Sequence, residues 1–302
     1  MERPNELHSI LEEALMQFGV STWLWASPLT TDEFARLATH VAGMGFDLIE
    51  VPIEGTDDLD YTRAAKIARD AGLAVSVCAA MGPERDLIHP DANVRANGIA
   101  YVRHCIEAAQ TLGATNVLGP LYSAVGRTWQ ATPEERKRDV DLLVTQLSEL
   151  AVHAANHGVV LCVEPLNRFE TSFINLTAQV IEVVDRVDNP ACGILLDTFH
   201  MNIEETSLGD AIRAAGPRLK QLHACENDRG APGSGHVPWQ DVAQGCRDIG
   251  YDGPVVIESF TSKVTTIARA AAIWRPLAKS QDQLASDGLR YLRSVFAEPA
   301  VA

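Results

Sequence analysis

The sequence predicts an α/β protein: a single closed (β/α)8 TIM barrel with an extra N-terminal helix. Short apolar runs alternate with helical stretches eight times in 302 residues, a length that suits one barrel. Glycine recurs where a helix ends and a strand begins, at Gly72, Gly113, Gly158 and Gly250, as helix C-caps favour. No dinucleotide GxGxxG fingerprint or P-loop follows any strand, which removes the usual doubly wound cofactor folds. With no linker or composition break, residues 1–302 read as one domain, of which 1–17 form a helical extension.

In that extension Leu7, Ile10, Leu11, Ala14, Leu15 and Phe18 recur at helical spacing, among Glu2, Glu6, Glu12 and Glu13. The pattern is an amphipathic helix, since a secretory signal needs a basic start and an unbroken apolar centre. Residues 18–25 then make the first strand and 31–44 a helix. Strand 47–53 is followed by helix 61–71, strand 73–79 by helix 91–112, and strand 116–119 by helix 132–157. Strand 159–164 leads to helix 177–187. Strand 193–197 leads to a helix over 207–216, opened by Ser207 as a cap and closed by Gly216. Strand 219–223 precedes helix 239–249, and strand 254–258 precedes a last helical region over 265–296. Runs of four to eight apolar residues bounded by turn signals are what strands buried on both faces look like.

Composition narrows the function. The formal charge is −15 and the pI about 5.0, so phosphate backbones and anionic lipid are repelled. Nucleic acid and membranes are therefore not expected partners, and a polyanion is a poor substrate. No apolar run approaches the roughly 20 residues of a membrane span. Six cysteines show no CxxC spacing and lie largely in apolar runs. Free structural thiols in a reducing, cytoplasmic setting are expected.

The chemistry emerges at the strand ends. The fifth strand ends in Glu164, the sixth in Asp197, the seventh in His223 and the eighth in Glu258. Strand 193–197, its helix and strand 219–223 form a βαβ unit, so Asp197 and His223 share a rim. The C-terminal rim is where barrel enzymes build their sites. Any one of these residues alone is commonly a cap or an ion-pair partner. Four in phase form a hard, anionic cage suited to one divalent ion, Mn2+ ahead of Co2+ or Mg2+, which would also relieve the repulsion among three carboxylates.

GILLDTFHMNIEE from Gly193, Glu164-Pro-Leu-Asn-Arg-Phe-Glu170, and Leu222-His223 followed by Glu226, Arg229 and Pro238-Trp239 resemble the ketose 3-epimerases, the D-tagatose 3-epimerase and D-allulose (psicose) 3-epimerase type. The resemblance implies that Glu164, Asp197, His223 and Glu258 hold the metal. It also implies that Glu164 and Glu258 act as acid and base on opposite faces of the sugar. Glu170, His200 and Arg229 would hold the O1–O3 end of the ketose, and Trp25 fits the family's sugar-contacting region. The implied reaction is metal-dependent epimerisation of a free ketose at C3, through a cis-enediolate. Substrates of the D-tagatose, D-fructose/D-allulose or L-ribulose type are expected, in a homodimer or homotetramer.

Without that resemblance, Glu170 reads as a surface carboxylate, His200 as a helix cap or a residue packed under the rim, and Arg229 as a bridge to Glu226 or Asp228. Departures from the family are Cys225 in place of Gly, Asp228 in place of Asn, Ser259 in place of Pro, and Ser21 where some relatives carry an aromatic residue. The segment after the fourth strand lacks an early Trp, though Tyr122 and Trp129 could serve. Trp23, Trp25 and Trp129 are candidate apolar walls for sugar C–H faces. An aldose–ketose isomerase or keto-sugar lyase is the nearest alternative function. A metal-dependent endonuclease is disfavoured by the charge, and a non-catalytic sugar-binding protein by the cage.

Overall fold

Eight apolar runs become eight parallel strands in the computed structural model, which describes residues 16–297. They are β1 (Phe18–Ser21), β2 (Leu48–Ile53), β3 (Ala74–Ala79), β4 (Asn116–Gly119), β5 (Val160–Val163), β6 (Cys192–Asp197), β7 (Leu219–Ala224) and β8 (Val255–Ile257). Their spatial order is their sequence order, and β8 closes onto β1. Nearly every strand residue is buried, as expected when helices cover the outside and side chains fill the lumen.

The helices are α1 (Thr31–Gly43), α2 (Tyr61–Asp70), α3 (Ala92–Leu112), α4 (Pro133–Asn156), α5 (Thr177–Val187), α6 (Thr198–Glu204), α7 (Leu208–Ala215), α8 (Trp239–Asp248), α9 (Thr265–Ala270) and α10 (Gln281–Ala297). Local chemistry sets several starts. Thr30 with Glu33, and Thr132 with Glu135, make reciprocal capping boxes, and Pro133 adds a preset φ at the first turn of α4. Gly119 ends β4 at φ 132, where an added Cβ would lie 2.2 Å from the Ala79 carbonyl oxygen. Only glycine lets those strands approach so closely.

Three elements differ from the sequence expectation. The first strand stops at Ser21, because residues Thr22–Leu24 curl into a 3-10 turn closed by the Trp25 and Ala26 amides on the Thr22 carbonyl. Helix α6 was not expected; it starts directly from β6 because the Asp197 side chain accepts from the Phe199 amide. The last helical region is two helices rather than one, since Ala272 takes φ 54 and Pro276 cannot continue a helix. The N-terminal amphipathic helix falls mostly on residues outside those described, and Phe18 opens β1 instead.

Register positions the site. Asp197 lies directly beside His223 across β6 and β7, and Ser21, Glu50 and Ser76 align across β1, β2 and β3. All six cysteines are free and buried, and burial pushes the Cys105, Cys192 and Cys246 thiols up to about 12. Thiol reagents at neutral pH should therefore label no cysteine in the native protein and all six after denaturation; counting labelled thiols by mass spectrometry checks it. Among the described residues no helix is long and apolar enough to cross a membrane.

Candidate active site

Glu164 follows β5 directly, Asp197 ends β6, His223 lies near the end of β7, and Glu258 follows β8. Helix α6 brings His200 to the same rim, and the loop after β7 brings Arg229. All six are at least 95% buried, so their charges meet with little solvent between them. One guanidinium nitrogen, Arg229 Nη1, donates to Asp197 Oδ2 at 2.6 Å and Glu258 Oε2 at 2.7 Å. His200 Nε2 lies 3.7 Å from both Glu164 Oε1 and Asp197 Oδ2. His223 Nδ1 is 3.6 Å from Glu258 Oε1.

Each side chain is held from behind. Asp197 uses Oδ1 to cap α6, accepting from the Phe199 amide at 2.8 Å, which leaves Oδ2 for Arg229. Arg229 has φ 64, a left-handed conformation costing a non-glycine residue about 1–2 kcal/mol. Its carbonyl accepts from Ser259 Oγ at 2.6 Å, and its guanidinium lies 4.0 Å from the Phe199 ring centroid and 5.1 Å from that of Phe260. The Asn167 amide donates to His200 Nδ1 at 3.1 Å, and Arg229 Nη2 lies 3.2 Å from His200 Nε2, so donors hold the ring from both sides. Glu170 is partly buried and accepts from Asn167 Nδ2 at 2.8 Å.

Arg229 does not bridge Glu226 or Asp228. Glu226 is fully buried and holds its own loop, accepting from Trp239 Nε1 at 2.7 Å and the Gly233 amide at 2.8 Å. Asp228 pairs with Arg275 at 2.9 Å. The Cys225 thiol donates to the Glu258 carbonyl at 2.6 Å. Burial pushes that thiol well above its usual range, so it stays protonated as a donor.

The protein's own groups drive the two glutamates apart. Burial, then the neighbouring Glu258 charge, raises Glu164 well above the usual carboxylate range. Burial would raise Glu258 too, but His223 and Arg229 together outweigh it and lower Glu258 to about 2. In the free protein one carboxyl group of this site therefore favours its proton and the other its charge. His200 falls to about 3 through burial and the nearby Arg229, so it stays neutral.

The donor set fits a hard divalent ion. Glu164 Oε1 and His223 Nδ1 are buried without any hydrogen-bond partner, and unpartnered buried polar atoms cost about 1–3 kcal/mol each. Burial would lower His223, but Glu50 and Glu258 raise it well above its usual range, so positive charge is favoured on its ring. Candidate ligand atoms of Glu164, Asp197 and His200, and of Glu50, His223 and Glu258, form two groups, each within 4.8 Å, and a third group, Asp197, Cys225 and Glu258, shares a member with each. Carboxylates with one imidazole suit Mn2+, Mg2+ or Co2+. A separate group, Glu107, His153 and His157, lies towards the surface of α3 and α4. There Arg103 Nη1 sits 3.4 Å from His153 Nδ1, a positive charge that opposes a cation.

The structure does not bring Trp25, expected as a sugar contact, to this group. Its indole donates to Asp282 of α10 at 2.8 Å, and its ring stands edge-on to His40 of α1. The 3-10 turn swings Trp23 into position instead, with its ring 5.7 Å from Phe260 and its indole bonded to Glu54 at 3.1 Å. Trp129 stacks on Phe173. Glu50, Asn167 and Gln221 were not anticipated as site residues. A lone Glu inside the apolar run LIEVPI was the available signal for the first.

Residues 38–295 match the family model described as xylose isomerase-like TIM barrel. A D-psicose 3-epimerase from Agrobacterium fabrum is 34% identical over 272 residues, covering 88% of this chain and 93% of its own. A solved L-ribulose 3-epimerase superposes with a TM-score of 0.88 at 28% identity, covering 93% of this chain and 95% of that one. A D-psicose 3-epimerase solved in the presence of D-fructose gives 0.86 at 32% identity, covering 94% and 100%.

Proposed function

The chain belongs to the ketose 3-epimerases of the xylose isomerase-like TIM barrel family, and on that premise we propose that it inverts C3 of a free ketose using Glu164 and Glu258. Candidate substrates are D-tagatose, D-fructose, D-allulose and L-ribulose. Glu164, Asp197, His223 and Glu258 would hold one divalent ion, Mn2+ ahead of Co2+ or Mg2+. That ion supplies the electrophile that makes a proton beside the carbonyl acidic enough for a carboxylate to remove.

The residues of the chain do the rest. One of Glu258 and Glu164 takes the C3 proton and the other returns one to the opposite face, and the roles exchange in reverse. A single base would return the proton to the side it left, so inversion needs both. Arg229 orients the sugar's oxygens. Neutral His200 presents Nε2 to a sugar oxygen or hydroxyl, and Glu170 accepts from a hydroxyl. Phe199, Phe260 and Trp23 line the neighbouring apolar side and limit water.

The observation carrying this reading is the gathering of Glu164 and Glu258 with Asp197, His200 and Arg229 in one buried set at the C-terminal rim. The test strips the metal, restores Mn2+, Co2+ or Mg2+ singly, and follows the four ketoses by chromatography. C3 epimers are expected. Aldoses or cleavage products would replace the reading with an isomerase or lyase, and sugar binding without turnover would reduce the protein to a binding module.

A further inference from the structure

One step below the rim, a second polar group spans the barrel. Ser21, Glu50 and Ser76 stand side by side on β1, β2 and β3. Gln221 lies two residues before His223 on β7, so both side chains share the inward face. None of these side chains is more than 2% exposed. A carboxyl group in the middle of a buried strand is costly unless strongly partnered. Glu50 is so partnered, and at one atom: Oε2 lies 3.1 Å from Ser76 Oγ, 2.7 Å from Gln221 Nε2 and 3.0 Å from His223 Nε2. The last two contacts cross the lumen, since β2 and β7 are separated by β8 and β1.

We infer that Glu50 is a positioning residue that keeps a proton on His223 Nε2, so that Nδ1 turns its lone pair towards the cation. The inference rests on reading His223 as a metal ligand. A carboxylate oxygen that accepts from Ser76 and Gln221 has only acceptor capacity to offer, so the ring nitrogen facing it carries hydrogen. The other ring nitrogen, Nδ1, has no hydrogen-bond partner and lies on the Glu258 side. Ser76 and Gln221 hold the Glu50 carboxylate still, and the carboxylate in turn fixes the plane of the ring and strengthens Nδ1 as a donor to metal. Swapping Glu50 for Gln keeps the size but removes the charge and lets an amide nitrogen compete for the same place.

Two readouts test it. In Mg2+-loaded protein labelled with 15N-histidine, the His223 signals, assigned by their loss in His223→Gln, should show hydrogen on Nε2 and none on Nδ1. In protein stripped by chelator and titrated with Mn2+, Glu50→Gln should bind about 10–100-fold more weakly than the wild type, with a melting temperature before metal addition close to that of the wild type. A proton on Nδ1 in the loaded wild type overturns the inference whether or not any variant folds. Equal Mn2+ affinity in Glu50→Gln also overturns it, while the cage stands. A wild type that binds no Mn2+ overturns the cage itself, and this inference with it.

Discussion

Glu258→Gln and Glu164→Gln each lower kcat by at least about 10^3-fold on every ketose turned over. Acid–base groups contribute about 10^2–10^4-fold, and both residues are also expected to hold the cation, so the two losses compound. Gln preserves volume at the barrel mouth, and circular dichroism should show the fold retained. The two variants differ in their surroundings. Glu258→Gln removes the charge that Arg229 Nη1 shares with Asp197. Glu164→Gln removes a group whose charged form burial already disfavours, so it should disturb the free protein less. Its melting temperature before metal addition should therefore be the higher of the two. Either variant turning over at the wild-type rate would contradict the proposed chemistry.

Chelation abolishes activity, and a single divalent ion restores it. A proton beside a ketone is too weakly acidic for a carboxylate alone, so stripped protein should retain less than about one part in 10^3 of the activity, since an electrophilic ion supplies several kcal/mol of barrier lowering. Metal should also stabilise the fold, because a ligand at 100 times its Kd adds about 2.7 kcal/mol. For a chain of this size that is a rise in Tm of roughly 4 °C. Activity that survives stripping, with no change in Tm on adding Mn2+, would remove the cation from the account.

Much of this was legible because barrels write their topology plainly. Eight apolar runs separated by capped helices specify strand order, and once the strands are parallel their last residues must share a rim. Glu164, Asp197, His223 and Glu258 could be picked out on that ground alone. What periodicity could not show was how the chain leaves a strand. Nothing in the apolar pattern of 198–204 separates a short helix from a loop, and it is the Asp197 side chain on the Phe199 amide that starts α6. The same limit hid where Trp25 and Trp23 go. A strand carried through to residue 25 directs that ring towards the mouth, whereas the 3-10 turn at Thr22–Leu24 sends Trp25 to α10 and Trp23 to Phe260. Partners across the lumen, such as Glu50 and Gln221, are 171 residues apart in sequence, and only closure of the barrel reveals them.

Isotope exchange at one carbon tests the central claim most directly. The wild-type enzyme, loaded with Mn2+ and incubated with its ketose in deuterated water, should place solvent deuterium at C3 of the epimer it forms and leave the other carbons unlabelled. Epimer formed without deuterium at C3, or label appearing at C1 or C4 instead, would contradict inversion through the two glutamates.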